Sequence, residues 1–451
     1  MRPALYLARW VLPIGAAPIR DGALLVDARG RIEAVGPRAA VAAPPDAQRV
    51  ELGEAALLPG LVNVHAHPEL AMLRGALEEL PFPEWIVRLM RVKRGVLGEA
   101  DYADAAAWTM VEAVRAGVTT LAATEASAAA LGALREAGLR GLVYQEVFGP
   151  DPRQAEEALA GLRASVERLR ARETDLVRVG ISPHAPYTVS DALFRATAAY
   201  ARAEALPLAV HTAESQAERE LVAAGEGAFA PGLRRRGIAT PVRGRSTLEL
   251  FERLGVLAAR PLLIHCVTLD AADVRRIADA GAAVAHCPVA NAKLGHGVAP
   301  YPALRAAGVR VGLGTDSMGS NNRLDLLEEA RFAALLHRAD ARSATLLPAA
   351  ELLRLCTLDG ARALGLDDRI GTLEPGKDAD LCAVALDAPH VRPVHEPEPA
   401  LVHAARGSDV LLTAVRGRVL YRRGAAEPPA GAALAERIDA IAARVCAGAP
   451  C

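Results

Sequence analysis

The sequence is short of several things, and each shortage closes off a class of function. Aromatic residues make up only 4% of the 451-residue chain, which leaves few platforms on which bases stack. Neither sign of charge dominates: 52 Lys and Arg face 53 Asp and Glu, a formal net charge of −1. Such a balance gives no pull toward nucleic acid or an anionic membrane surface. Hydrophobic residues reach 52%, yet charges interrupt them before any run of about 18 apolar residues accumulates, so no membrane span is expected. The six cysteines (Cys266, Cys287, Cys356, Cys382, Cys446 and Cys451) contain no CxxC pair, the usage of a reduced, cytoplasmic protein. Arg9 breaks the apolar start Met1–Trp10, which reads as a strand rather than a leader. Lysine occurs only at Lys93, Lys293 and Lys377.

What is present has a clear order. The length exceeds one ordinary core. Residues 1–58 read as short strands, with a hairpin signal around Asp27-Ala28-Arg29-Gly30. The pattern returns at Asp380–Ala385 and Val410–Tyr421. Neither end closes a sheet alone, so residues 1–58 and 371–425 are expected to form one composite β-sandwich, followed by a helical tail over 426–451.

Between them, residues 59–370 alternate. Apolar runs at Leu57–Val64, Val118–Ala123, Leu139–Val147, Leu176–Ser182, Leu206–Val210, Pro261–His265, Ala282–His286 and Val309–Gly314 are separated by helical patterns such as Ala155–Arg172 and Ala271–Ala280. Eight such alternations predict an α/β fold, a (β/α)8 TIM barrel, in preference to an open doubly wound sheet. The crossovers 66–117 and 212–260 are longer than one helix needs, and such excess falls on the face where binding loops sit.

The chemistry lies where the runs end. The first ends in His65-Ala66-His67, the fourth in Pro183-His184-Ala185-Pro186-Tyr187, and the fifth in His211-Thr212-Ala213-Glu214; the sixth ends in His265-Cys266 and the eighth in Gly314-Thr315-Asp316-Ser317. Side chains at i and i+2 of a strand share a face, so His65 and His67 can reach one ion. A single strand-end histidine is more often a core residue than a ligand. Five of them with an aspartate, all in register, point to a metal site. Imidazoles with one carboxylate suit Zn2+, with Fe2+ as the alternative. No lysine ends the fourth strand to bridge two ions, so one divalent metal is expected.

These residues resemble those of the amidohydrolase superfamily, in its single-metal nucleobase and triazine aminohydrolase branch. The similarity extends to Pro59-Gly60-Leu61-Val62-Asn63, Asn291-Ala292-Lys293-Leu294-Gly295, Thr357–Gly365 and Gly371–Leu381, and so covers nearly the whole chain. It implies that His65, His67, His211 and Asp316 hold the metal, that Glu214 shuttles protons, and that His265 flanks the attacking hydroxide. It implies a substrate contact for His184. The pair His67-Pro68-Glu69-Leu70 and Phe82-Pro83-Glu84-Trp85-Ile86 is similar to aminodeoxyfutalosine deaminases, whereas Asn291–Gly297 is more similar to methylthioadenosine or S-adenosylhomocysteine deaminases.

The implied activity is hydrolytic deamination of an adenine-type nucleoside or related aminoheterocycle, a small-molecule substrate, with a homodimer as a family-level expectation. Hydrolysis of triazine-type rings and a catalytically inactive binding homologue are the alternatives. Glu69 is a candidate for a sugar hydroxyl, or else caps or pairs on a surface loop. Trp85 covers the substrate's tail or packs. Ser317 is a candidate support for Asp316, and His296 can face the pocket from its loop. His286 and Cys287 read as core, and His337, His390, His395 and His403 as surface.

Overall fold

The computed structural model describes residues 1–425 and 429–448. Leu61–Ala66, Val118–Glu125, Arg140–Val147 and Val177–Pro183 form one four-stranded parallel sheet. Ala209–Thr212, Leu262–His265, Ala283–His286 and Arg310–Leu313 form a second. Parallel bridges between Ile181 and Leu208 and between Ala66 and Asp316 join the two sheets at both edges. Eight parallel strands thus close into the TIM barrel that the alternation predicts.

The first apolar run is a correction. It was expected as one strand, Leu57–Val64, but the chain divides it at Gly60. Ala55–Pro59 belongs to the terminal sheet, antiparallel to Leu381–Ala385, and Leu61–Ala66 to the barrel. Gly60 donates its N–H to the Asp380 carbonyl at 2.8 Å, and a Cβ there would lie 2.1 Å from Thr119 Oγ1. Absence of a side chain is what lets two sheets share one apolar run.

Both termini contribute to a single eight-stranded sheet, in which Ala55–Pro59 is flanked by Ala4–Val11 and Leu381–Ala385. Arg140, buried at the start of the third barrel strand, ties this sheet to the barrel. Its guanidinium donates to Asp380 and Asp378, each at 2.9 Å. Helix Pro429–Gly448 turns Leu434, Ile438, Ile441 and Val445 inward, a 3.6-residue stripe. Arg437 and Arg444 on it pair with Asp104 and Asp101 of helix Glu99–Arg115. Of the expected tail, 426–428 and 449–451 lie outside the described residues. Among the described residues no helix is long and apolar enough to cross a membrane.

The long crossovers carry helices Phe82–Gly95 and Ala230–Arg235, and residues of both line the cavity described next. His337 is a second correction: expected at the surface, it is buried with its Nε2 3.0 Å from His286 Nε2. Helix Leu326–Ala341, which carries it, turns that face toward the seventh barrel strand.

Candidate metal centre

His65 and His67 leave the first barrel strand on one face, as a period of two requires. Asn63, two residues earlier, ties that strand to the eighth: its Nδ2 donates to Thr315 Oγ1 at 2.8 Å and its Oδ1 accepts from the Thr315 N–H at 3.1 Å. The Asp316 N–H donates to the His65 carbonyl at 3.0 Å. The Asp316 carboxylate thereby reaches the histidines, with Oδ1 3.2 Å from His65 Nε2 and 3.6 Å from His67 Nε2. His67 Nε2 lies 3.3 Å from His211 Nε2. Four chain positions separated by up to 251 residues are brought to one point.

The backbone bends sharply to achieve this. Ala213, His265, Cys266 and Asp316 adopt φ of 49°, 72°, 53° and 59°. Non-glycine residues rarely occupy this left-handed region, and a cluster of them at one barrel mouth marks a functional site.

Electrostatics suits a cation. His211 Nδ1 donates to the His184 carbonyl at 3.2 Å, which leaves Nε2 as a bare lone pair. Burial lowers the His65 imidazole despite the Asp316 carboxylate. Burial and the neighbouring imidazoles hold His67 well below its ordinary range and bring His211 to about 3. All three rings are therefore neutral, the state that binds metal. Burial raises the Asp316 carboxyl, but His65, His265 and His67 more than reverse this and keep it ionised. His65 Nε2 is buried and makes no hydrogen bond, a donor atom that a cation would satisfy. One oxygen of Asp316 is supported by Ser320, whose hydroxyl donates to Oδ2 at 2.7 Å. Ser317, the candidate support, instead contacts Ser320 Oγ at 2.9 Å.

Glu214 stands beside the cluster. His265 Nε2 and His296 Nε2 lie 3.5 and 3.3 Å from its Oε1, and the Tyr187 hydroxyl donates to Oε2 at 3.3 Å. Burial pushes this carboxyl up, and the imidazoles of His265, His296 and His211 pull it back down to about 2. Its backbone is pinned by Glu218, whose carboxylate accepts from the Ala213 and Glu214 N–H groups at 2.7 and 3.2 Å. His265 Nδ1 donates to Asn291 Oδ1 at 2.9 Å, which turns Nε2 toward Glu214.

A cavity of about 730 Å³ opens over these groups, lined among others by His67, His211, Glu214, His265 and Asp316. Trp85 and His184 also line it. Glu69, a candidate for a sugar hydroxyl or for a loop pairing, is not among the lining residues. Its buried carboxylate accepts from Lys93 Nζ at 2.5 Å and from the Ser127 N–H at 2.9 Å. Lys93 itself reaches the cavity wall. Sequence reasoning passed over Glu146, Lys93, Ser320 and Glu218. Glu146 had a visible signal, a carboxylate near the C-terminal end of a barrel strand.

A closed parallel barrel with histidine and carboxylate donors gathered at the C-terminal ends of its strands is the architecture of a metal-dependent hydrolase. The chain belongs to the amidohydrolase family, whose model matches residues 56–420. It is 36% identical over 416 residues to a 5-methylthioadenosine/S-adenosylhomocysteine deaminase of Moorella thermoacetica, covering 92% of this chain and 93% of that protein. A 5′-deoxyadenosine deaminase of Methanothermobacter thermautotrophicus is 33% identical, with 92% of each chain covered. Among solved structures, an adenosine deaminase from Xanthomonas campestris with bound zinc superposes with a TM-score of 0.86 at 33% identity, over 98% of both chains.

Proposed function

We propose that the protein is a metal-dependent hydrolase that releases ammonia from an adenine-type nucleoside. One observation carries this reading: three neutral imidazoles and the Asp316 carboxylate converge while the ionised Glu214 stands beside them within the same cavity. Relatives above 30% identity that bear deaminase names support the substrate class. His65, His67, His211 and Asp316 would hold one divalent cation, with Zn2+ preferred because imidazole nitrogen and carboxylate oxygen suit it and with Fe2+ as the alternative. A cation held there would lower the pKa of water toward about 7 and so would supply hydroxide at neutral pH.

The protein's own groups do the rest. Glu214, ionised and held by Tyr187 and His296, takes a proton from the incoming water and delivers it to the ring nitrogen beside the carbon under attack. His265, oriented by Asn291, hydrogen-bonds the attacking oxygen and stabilises the charge that develops there. Asp316 accepts the remaining proton and passes it to departing ammonia. His184 and Trp85 border the substrate. We place the enzyme in the cytoplasm, where the buried thiols of Cys266, Cys287, Cys356 and Cys382 stay reduced, and propose a homodimer.

The test is a screen for ammonia release, with metal analysis of the same preparation. Adenosine, methylthioadenosine, S-adenosylhomocysteine, aminodeoxyfutalosine, guanine and aminotriazines are the substrates. The expected result is about one divalent ion per chain and turnover confined to adenine nucleosides. Release of chloride from a chlorotriazine without deamination would replace this reading by triazine hydrolysis. A metal-free preparation inert toward every compound would favour the binding homologue.

A further inference from the structure

Glu146 sits near the C-terminal end of the third barrel strand, Arg140–Val147, and the mechanism above does not use it. Its side chain is 98% buried, being 2% exposed, and it borders the cavity. Its Oε1 is buried without a hydrogen-bond partner. A buried polar atom left in that state is costly, and native structures retain few such atoms without a reason.

Among the described residues no side-chain donor reaches Glu146 Oε1. Lys93 Nζ is bound to Glu69 at 2.5 Å. His184 Nε2 lies 3.9 Å from Glu146 Oε1, outside hydrogen-bond reach, and its Nδ1 contacts Thr188 Oγ1 at 2.7 Å. His211 Nδ1 is committed to the His184 carbonyl. Because Glu146 borders the cavity, a ligand held there can supply the missing donor. This inference rests on the nucleoside reading above. An adenine nucleoside brings two kinds of donor: the exocyclic amine, which the reaction assigns to the side of Glu214 and Asp316, and the sugar hydroxyls. We infer that Glu146 is a specificity-determining residue that hydrogen-bonds a sugar hydroxyl of the substrate, the task first expected of Glu69.

The test compares adenosine with 2′,3′-dideoxyadenosine in turnover, and inosine with 2′,3′-dideoxyinosine in equilibrium binding. Binding of the product analogues needs no chemistry. The wild-type enzyme is expected to favour the ribonucleosides roughly 10- to 100-fold, the range for a hydrogen bond to a carboxyl group. In Glu146→Ala the ribonucleosides fall to the level of the dideoxy compounds, which themselves change little, and metal content is unaltered. Should that variant fail to fold, Glu146→Gln keeps the shape and is expected to narrow the same gap. A wild-type enzyme that shows no gap, or a variant that lowers both series equally, overturns the inference. So does a second equivalent of metal that Glu146→Gln abolishes, since Glu146, His184 and His211 would then be its ligands. A wild-type protein that neither binds nor deaminates any adenine nucleoside overturns the nucleoside reading itself and this inference with it.

Discussion

At the scale of single residues, Glu214 shows how a sequence position becomes a chemical group. Three partners from other parts of the chain, Tyr187, His265 and His296, approach its carboxylate, and the nearby Glu218 holds its backbone. Glu214→Gln preserves shape but removes the carboxylate proposed to act as the base. Metal content is expected to equal that of the wild type while ammonia release falls about 10²- to 10⁴-fold, the usual contribution of general acid–base catalysis. Unchanged turnover at full occupancy would take Glu214 out of the reaction. The strand-end histidines and Asp316 were legible because a period of two and the register of the strands fix where they point. Ser320, which supports Asp316, was not: its approach depends on the left-handed turn at Asp316. Glu69 kept two readings because its partners are remote in sequence: Lys93 lies 24 residues further along the same crossover, and Ser127 beyond the second barrel strand. His337 was misread because the face a helix buries is set by the strand it packs on, not by its own spacing alone.

At the scale of elements, the break at Gly60 divides one apolar run between two sheets. Apolar periodicity cannot reveal it, because Leu57, Leu58, Leu61 and Val62 are all fully buried. What decides it is the space beside Gly60, where a Cβ would meet Thr119 Oγ1 at 2.1 Å and its Cγ2 at 2.2 Å. Gly60→Ala is therefore expected to lower the urea midpoint by an amount equivalent to about 1–3 kcal/mol, the range for overpacking. Thr119→Gly in the same chain should restore part of that loss, because the three atoms nearest the added Cβ all belong to Thr119. A double variant no more stable than Gly60→Ala alone would show that the break has another cause. Eight alternations of strand and helix were enough to name the barrel, whereas the handover between its first strand and the terminal sheet required the packing.

At the scale of the whole molecule, the question is how a sheet built from both ends of the chain stays fixed to the barrel. Arg140 is a buried charge that spans the two, with Asp378 and Asp380 contributed by the segment that leads into Leu381–Ala385. Burial lowers its pKa, but the two carboxylates more than reverse that shift, so it stays charged. Asp378 is also paired with Arg369 at 2.9 Å, and Asp380 accepts from the Arg416 N–H at 2.9 Å. Removing Arg140 would strand part of this buried negative charge. Arg140→Met is expected to destabilise the protein by about 3–5 kcal/mol, the cost of breaking a buried ion pair from one side. Arg140→Lys keeps the charge but cannot fork to two carboxylates, so it should fall between the variant and the wild type. Arg140 lies at the N-terminal end of the strand whose C-terminal end carries Glu146. The folded fraction of Arg140→Met should therefore keep wild-type metal content and ammonia release per molecule. Loss of activity without loss of stability would mean instead that the terminal sheet is coupled to the catalytic mouth across the length of the barrel.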